Sequence, residues 1–111
     1  MKLPVESKLL RIFIGESDKH EGKPLYEWLV IQAKAQGLAG ATVLRGLMGF
    51  GANSRIHTSK ILRLSLDMPI VVEIVYTDKK IQGFLSSIED ALQGGLVTLE
   101  KAEVYIYSSK K

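Results

Sequence analysis

Residues 70–92, IVVEIVYTDKKIQGFLSSIEDAL, contain two hydrophobic periods in succession. The first seven residues are β-branched or aromatic apart from Glu73, which predicts a strand over Ile70–Tyr76. Thr77 or Asp78 then suits a helix N-cap. The following apolar residues recur at the spacing of one helix face: Ile81, Phe84, Leu85, Ile88 and Leu92. The stretch therefore predicts a strand that leads directly into an amphipathic helix, which ends before Gly94-Gly95.

The same order of strand and helix occurs nearer the N-terminus. KLLRIFIG, residues 8–15, is an apolar run that predicts a first strand, and residues 18–22, DKHEG, predict a polar loop. Pro24 suits the first turn of a helix because its missing N–H is not needed there. This helix is predicted to run to about Gln36, with Gly37 as the residue after its C-cap.

The middle of the chain predicts two further strands, residues 40–48 and 60–66, separated by a polar, glycine-containing loop at 49–58. Residues 67–69 form a turn before the strand at 70–76, and residues 96–107 supply one or two closing strands. The order of elements is β-α-β-β-α-β without repeats. It predicts a single α+β domain over residues 1–111 with the ferredoxin-like arrangement, an antiparallel sheet with both helices on one face.

Alternate residues of the predicted strands form two sets of different character. The almost wholly apolar sets suit the face that packs against the helices: Leu10/Ile12/Ile14, Leu62/Leu64/Leu66 and Ile70/Val72/Ile74. The complementary sets each contain a single charged residue: Leu9/Arg11/Phe13, Val43/Arg45/Leu47, Ile61/Arg63/Ser65 and Val71/Glu73/Val75. Such a face exposes too much apolar area to stay in solvent, so we expect subunits to associate through it, with Arg–Glu pairs inside the interface.

Composition restricts the class of protein. The chain has 111 residues, a net charge of +3 and no cysteine, which excludes disulfides and thiolate metal sites. No uncharged apolar stretch reaches the roughly 20 residues of a membrane helix, and the N-terminus carries charges where a signal peptide is apolar. We therefore expect a soluble cytoplasmic protein. Aromatic residues do not interleave with basic ones, so no nucleic-acid partner is expected.

One segment favours an anion ligand. Between Glu27 and Asp67 there is no acidic residue, while the basic residues give this segment a charge of +5. Within it, Gly49-Phe50-Gly51 stands where a strand becomes a loop, and glycines there permit positive φ and close approach of backbone to a ligand. Arg55 and His57 follow in the same loop. The alternative interpretation is a hairpin with incidental polar residues.

Several phrases of the sequence resemble a known family. Gly40-Ala41-Thr42-Val43, Gly49-Phe50-Gly51 and His57-Thr58 resemble the second strand and T-loop entry of PII nitrogen-signalling proteins. Nearly the whole chain resembles an uncharacterised family of PII-like proteins, through the phrases LRIFIGESD, KPLYEWL, GATVLRGLMGFG, LRLS and GLVTLE.

This resemblance implies a homotrimer, assembled through the open sheet face, that binds ATP or ADP between subunits and requires no cofactor. It implies a regulatory protein that contacts a partner such as a membrane transporter or channel. By position, the resemblance places these residues at the nucleotide: Thr42, Gly49, Phe50, Gly51, Gly94, Gly95 and Leu96. The lysine that follows the second glycine pair in PII proteins is absent, and Glu103 stands where an arginine is usual. We therefore expect the anion contacts to come from these residues instead: Lys23, Arg45, Arg55 and His57.

Two other classes of function stay open at this stage. One is a metal-responsive trimer like the divalent-cation tolerance (CutA) proteins, although the two histidines, His20 and His57, are not closely spaced with carboxylates. The other is a small enzyme whose site is shared between subunits, with Glu16, Asp18 or His57 as base. No catalytic constellation is visible in the sequence, so we do not expect an enzyme.

Overall fold

The computed structural model describes residues 5–50, 57–58 and 67–108. In chain order its elements are β1 (Val5–Gly15), β2 (Lys19–His20), β3 (Lys23–Pro24), α1 (Leu25–Ala35), β4 (Thr42–Arg45), β5 (Met48–Gly49), β6 (His57–Thr58), β7 (Pro69–Tyr76), α2 (Asp78–Ile88), a 3-10 turn (Glu89–Ala91) and β8 (Leu96–Val104). The strand predicted over residues 60–66 lies outside the described residues.

Four strands form one sheet in the order β4-β7-β1-β8, and every neighbouring pair is antiparallel. Because β1 and β7 lie in the middle, they are hydrogen-bonded on both sides, whereas β4 and β8 are the edges. Both helices pack on one face of this sheet. The predicted α+β, ferredoxin-like arrangement is thus confirmed, with β1, β4, β7 and β8 as its four strands.

The core lies between this sheet and the helices. Alternate residues of the two central strands are buried there, as the apolar sets predict: Leu10, Ile12, Ile14, Ile70, Val72 and Ile74. The helices contribute residues three or four apart, which share one helix face: Leu25, Leu29, Ala33, Ile81, Phe84 and Ile88. Burial of these side chains supplies the main driving force for the fold.

The first helix ends as predicted. Gly37 has a φ of 80°, its N–H donates to the Lys34 carbonyl at 3.1 Å, and the Leu38 N–H donates to the Ala33 carbonyl at 3.1 Å. This pair of bonds is a Schellman motif, which satisfies carbonyls that have no partner within the helix. Leu38 and Ala33 are both buried, so the same turn joins the helix end to the core.

The second helix is shorter than predicted. Regular α-helix stops at Ile88, and the chain continues as a 3-10 turn over Glu89–Ala91, so Leu92 lies beyond the helix. The Leu92 N–H donates to the Glu89 carbonyl at 3.2 Å, which closes this tighter turn. Leu92 still packs against the core. Helical spacing identified the buried residue correctly but misplaced the end of the helix.

Residues 18–22 were predicted as a loop, and the structure forms a hairpin there. β2 and β3 pair antiparallel around Glu21 and Gly22, which have φ values of 52° and 80°. Two successive residues with positive φ make the tight turn that matches the twist of a two-stranded ribbon. The His20 ring packs edge-on against Trp28 of α1, with 4.3 Å between ring centroids, and so joins the hairpin to the helix.

The predicted face of the second strand is wrong. Val43 is opposite Val72, and Arg45 is opposite Ile70, so both belong to the helix-packed side of the sheet. Thr42 and Leu44 therefore face the open side, and Leu47 lies beyond the end of β4. Both alternate sets of this strand contain apolar residues, so its pattern does not select a face, and a change of register by one residue exchanges the two.

Candidate functional site

The open face of the sheet carries exposed apolar side chains on every strand. Phe13 of β1 lies between Val71 of β7 and Leu96 of β8 in the register, and Leu44 of the edge strand is opposite Val71. Phe13, Leu44 and Leu96 are all exposed. A contiguous apolar surface of this kind on a small domain indicates an interaction site.

An ion-pair cluster occupies the middle of this face. The Arg11 Nε donates to Glu73 Oε2 at 2.8 Å across β1 and β7, and its Nη1 donates to Glu100 on β8. We call Arg11, Glu73 and Glu100 the central triad. The hydrogen bond to Glu73 is the main cause that raises the pKa of Arg11, and the charges of Glu100 and Glu73 act in the same direction. The predicted Arg–Glu pairing therefore occurs within one chain.

A cavity of about 390 Å³ opens beside the triad. Its walls are residues 39–42, which join α1 to β4, together with Glu73 and Val75 of β7 and with Tyr107. Thr42 and Glu73 are direct partners across β4 and β7, so a hydroxyl and a carboxylate lie side by side in its lining. We call this space the Thr42 cavity. Its volume falls in the range of sites that hold small molecules.

A second cavity of about 430 Å³ adjoins the first. It is lined by residues 103–106, by Tyr76 and by three residues that also line the Thr42 cavity, namely Ala39, Val75 and Tyr107. Tyr107 therefore stands between the two spaces. Its ring meets that of Tyr76 edge-on, with 6.5 Å between centroids and 67° between planes.

Of the basic residues expected to bind anions, two are described with their side chains, and neither lines the Thr42 cavity. The Nε of Arg45 lies 3.1 Å from Glu16 Oε1, which pairs the end of β4 with the segment that follows β1. Lys23 is exposed on the β2–β3 hairpin, opposite His20. Arg55 lies outside the described residues.

The glycine-containing segment after β4 is described in part. Gly49 pairs with His57 in the β5–β6 ladder, and Phe50 follows with 72% of its surface exposed. Gly49 does not have a positive φ; instead, a Cβ placed on it would lie 3.2 Å from Pro69 Cγ. Its lack of a side chain is therefore explained by packing on Pro69. Gly51 lies outside the described residues, as does the side chain of His57.

The second pair of glycines lies at the start of β8. Gly94 has a φ of 85°, which favours glycine, and a Cβ on Gly95 would lie 3.2 Å from the Phe13 carbonyl oxygen. Leu96 is exposed opposite Phe13. These three residues thus lie at the carboxyl end of β1.

The predicted site residues consequently fall into two groups. Arg45 and the two described glycine segments lie at the carboxyl end of β1. Thr42 is three residues before Arg45 on β4, which separates the two by about 10 Å at the rise of a β-strand. Glu73 and Tyr107, which share the cavity with Thr42, were not predicted as site residues. The alternation of β7 had placed Glu73 on the open face, but no pattern in the sequence indicates that Tyr107 returns to Val75.

No group of three or more His, Cys, Asp or Glu in residues 5–50 and 67–108 is placed to hold a metal ion. Within the same ranges, no helix is long and apolar enough to cross a membrane.

Comparison with known proteins gives both sequence and structural matches. The model of the DUF190 family (Uncharacterized ACR) matches residues 7–104. A UPF0166 protein of Aquifex aeolicus (strain VF5) is 45% identical over 90% of this chain and 94% of its own length.

Two solved structures share the fold at low sequence identity. CPII from Thiomonas intermedia K12, bound to ADP and bicarbonate, has a TM-score of 0.67 at 17% identity, over 90% of this chain and 89% of that one. A PII-like signalling protein of Thermus thermophilus, described as putative, has a TM-score of 0.63 at 19% identity, over 91% of each chain. The fold is therefore that of PII-like proteins.

Proposed function

The chain belongs to the DUF190 family, and from this premise we propose that it is a PII-like regulatory protein that binds an adenine nucleotide, ADP or ATP, between the subunits of a homotrimer. In this proposal nucleotide binding changes the contact of the 49–58 loop with a partner protein, such as a membrane transporter or channel. The protein acts by a shift between conformations rather than by catalysis.

The observation that carries this proposal is the position of the Thr42 cavity. The cavity lies at the edge of the open, apolar face and includes Thr42, which we expect beside the nucleotide because of the resemblance to PII proteins. A ligand seated there is adjacent to the surface through which subunits associate. Binding and assembly then involve the same part of the molecule.

The open face supports the proposed trimer. Phe13, Leu44 and Leu96 expose apolar surface around the central triad. Burial of charged groups is costly unless they are paired. Because the triad pairs Arg11 with two carboxylates within the chain, these groups keep their hydrogen bonds when the face is buried. Association removes the apolar surface from water, which is the dominant favourable contribution to most protein assembly.

The charge of the described cavity lining affects where the phosphates of the nucleotide can bind. Glu73 is the only charged residue among those that line the Thr42 cavity in the described part of the chain. We propose that the cavity receives the base and sugar and that the phosphates extend toward basic residues elsewhere. Lys23, Arg45, Arg55 and His57 are the proposed sources, from the same or a neighbouring subunit.

Calorimetric titration of nucleotide-free protein tests the proposal. We expect saturable binding of ADP or ATP near one per subunit, with AMP and cyclic AMP as comparisons. Thr42→Val removes the hydroxyl but retains the side-chain shape and should weaken binding, whereas Thr77→Val, before α2, should leave it unchanged. Absence of heat and of thermal stabilisation with all four nucleotides would overturn the proposal.

A further inference from the structure

Tyr107 is placed by the chain that follows β8. β8 ends at Val104 beside β1, yet Tyr107 lines the Thr42 cavity with Val75 of β7, so residues 105–107 reach across β1. The edge-on contact with Tyr76 orients the ring. Tyr107 remains 46% exposed, so part of its surface is accessible from the cavity side.

The other residues of the cavity lining offer an apolar surface and hydrogen-bond acceptors, as a nucleoside requires. Val75 and the small residues 39–41 leave an apolar slot, and a Cβ placed on Gly40 would meet no atom within 4 Å. Glu73 presents a carboxylate that accepts from Arg11 through Oε2, so a ligand group beside it has to be a donor. Amino groups on a flat ring and sugar hydroxyls are such donors.

We propose that Tyr107 is a specificity-determining residue that stacks on the purine base of the bound nucleotide in the Thr42 cavity. The base lies against the Tyr107 ring, while Thr42 and Glu73 meet its polar edge or the ribose. Aromatic rings favour offset stacking on flat conjugated rings, and proteins commonly hold bases in this way. The inference rests on the proposed function and adds the C-terminal segment to the ligand site.

Titration of ADP into three variants tests the role of Tyr107. Tyr107→Leu keeps apolar bulk but removes the ring, and we expect its Kd to rise about 5- to 150-fold, the range measured for loss of base stacking. Tyr107→Phe retains the ring, so its Kd should rise far less than that of Tyr107→Leu. Tyr105→Leu is the matched control, because Tyr105 is 76% exposed and does not line the Thr42 cavity.

A further variant changes another residue of the cavity lining. Gly40→Val adds a side chain at a place where the described residues leave open space, so it should hinder binding of the base without a change in thermal stability. Thermal unfolding and size-exclusion chromatography of every variant establish that each folds and assembles as the wild type does.

The outcomes separate the two proposals. If wild-type protein binds ADP and Tyr107→Leu binds it with the same Kd, the stacking role is overturned and the proposed function stands. If Tyr107→Phe is as weak as Tyr107→Leu, the hydroxyl rather than the ring is responsible, and stacking is again overturned. If the wild type binds no nucleotide, both proposals are overturned.

Discussion

At the scale of single residues, Arg11 is distinguished by its hydrogen bonds to two carboxylates. It lies on the open face between two carboxylates, Glu73 on one neighbouring strand and Glu100 on the other. Its pKa is raised, mainly by the hydrogen bond to Glu73. Because the pKa of Arg11 is raised in the folded state, its pairing contributes to stability below its ordinary pKa for as long as Glu73 and Glu100 are ionised, and on the alkaline side this contribution is lost only in strong alkali.

Arg11→Met should lower the thermal stability of the protein. The substitution keeps a long apolar stem but leaves Glu73 and Glu100 near each other without a cation, and their repulsion opposes folding. Because salt screens exposed charges, the loss of Tm should shrink as ionic strength rises. Thermal unfolding at low and high salt measures both effects.

Arg45→Met is the matched control for Arg11→Met. Among the described residues Arg45 makes one ion pair, to Glu16, and it lies at the more exposed edge of the sheet. A single exposed pair contributes little to stability, so this variant should lose less than Arg11→Met. Equal losses for the two arginines would contradict a special role for the central triad.

At the scale of elements, two glycines in or beside helices show how one substitution can have opposite effects. Gly37 ends α1 with a φ of 80°, a conformation that strains any residue with a Cβ. Gly83 lies inside α2, without positive φ, where an added Cβ would meet nothing within 4 Å.

Gly37→Ala should destabilise the protein by about 1–2 kcal/mol, the usual cost of the left-handed conformation for a residue with a side chain. The Schellman motif holds Gly37 and Leu38 in place, so the turn cannot relax without loss of its hydrogen bonds. Urea denaturation measures the free energy of unfolding. An unchanged midpoint would mean that the end of α1 rearranges freely.

Gly83→Ala should stabilise the protein by about 0.5–1 kcal/mol, because alanine loses less backbone entropy than glycine when a helix forms. The same denaturation experiment measures the gain. A loss of stability instead would contradict this expectation, because the described residues leave space for the added methyl group.

At the scale of the whole molecule, helices cover one face of the sheet, and no other described element covers the opposite face. The side chains of the covered face pack against the helices and form the core. On the open face, Phe13 is exposed between Val71 and Leu96 in the register. The oligomeric state of the protein depends on what covers these side chains.

Phe13→Lys should convert the proposed trimer into monomers, because burial of a lysine charge in an apolar interface is costly. Light scattering during size-exclusion chromatography should show the mass falling threefold, to that of the 12.3 kDa chain. Ile31→Lys is the control, since Ile31 is also apolar and exposed but lies on α1, and it should leave the mass unchanged. A trimeric Phe13→Lys protein would place the interface elsewhere.

Hydrophobic period alone was sufficient to predict the elements that are buried on one side only. In each of these elements one set of side chains is wholly apolar, so the pattern determines which face is buried. This holds for the alternation in residues 8–15 and 70–76 and for the helical spacing in 81–88. The end of α1 could also be predicted from the sequence, because glycine adopts the positive φ that Gly37 has without strain. Family membership followed from short phrases of the sequence.

The tertiary structure decided the face of β4, the hairpin at residues 19–24 and the surroundings of Thr42. β4 is an edge strand with apolar residues on both sides, so its register with β7 determines which of them face the core. The Thr42 cavity joins residues 39–42, β7 and Tyr107, which are distant along the chain. Such proximity depends on how the sheet folds the chain back on itself, and no local period in the sequence records it.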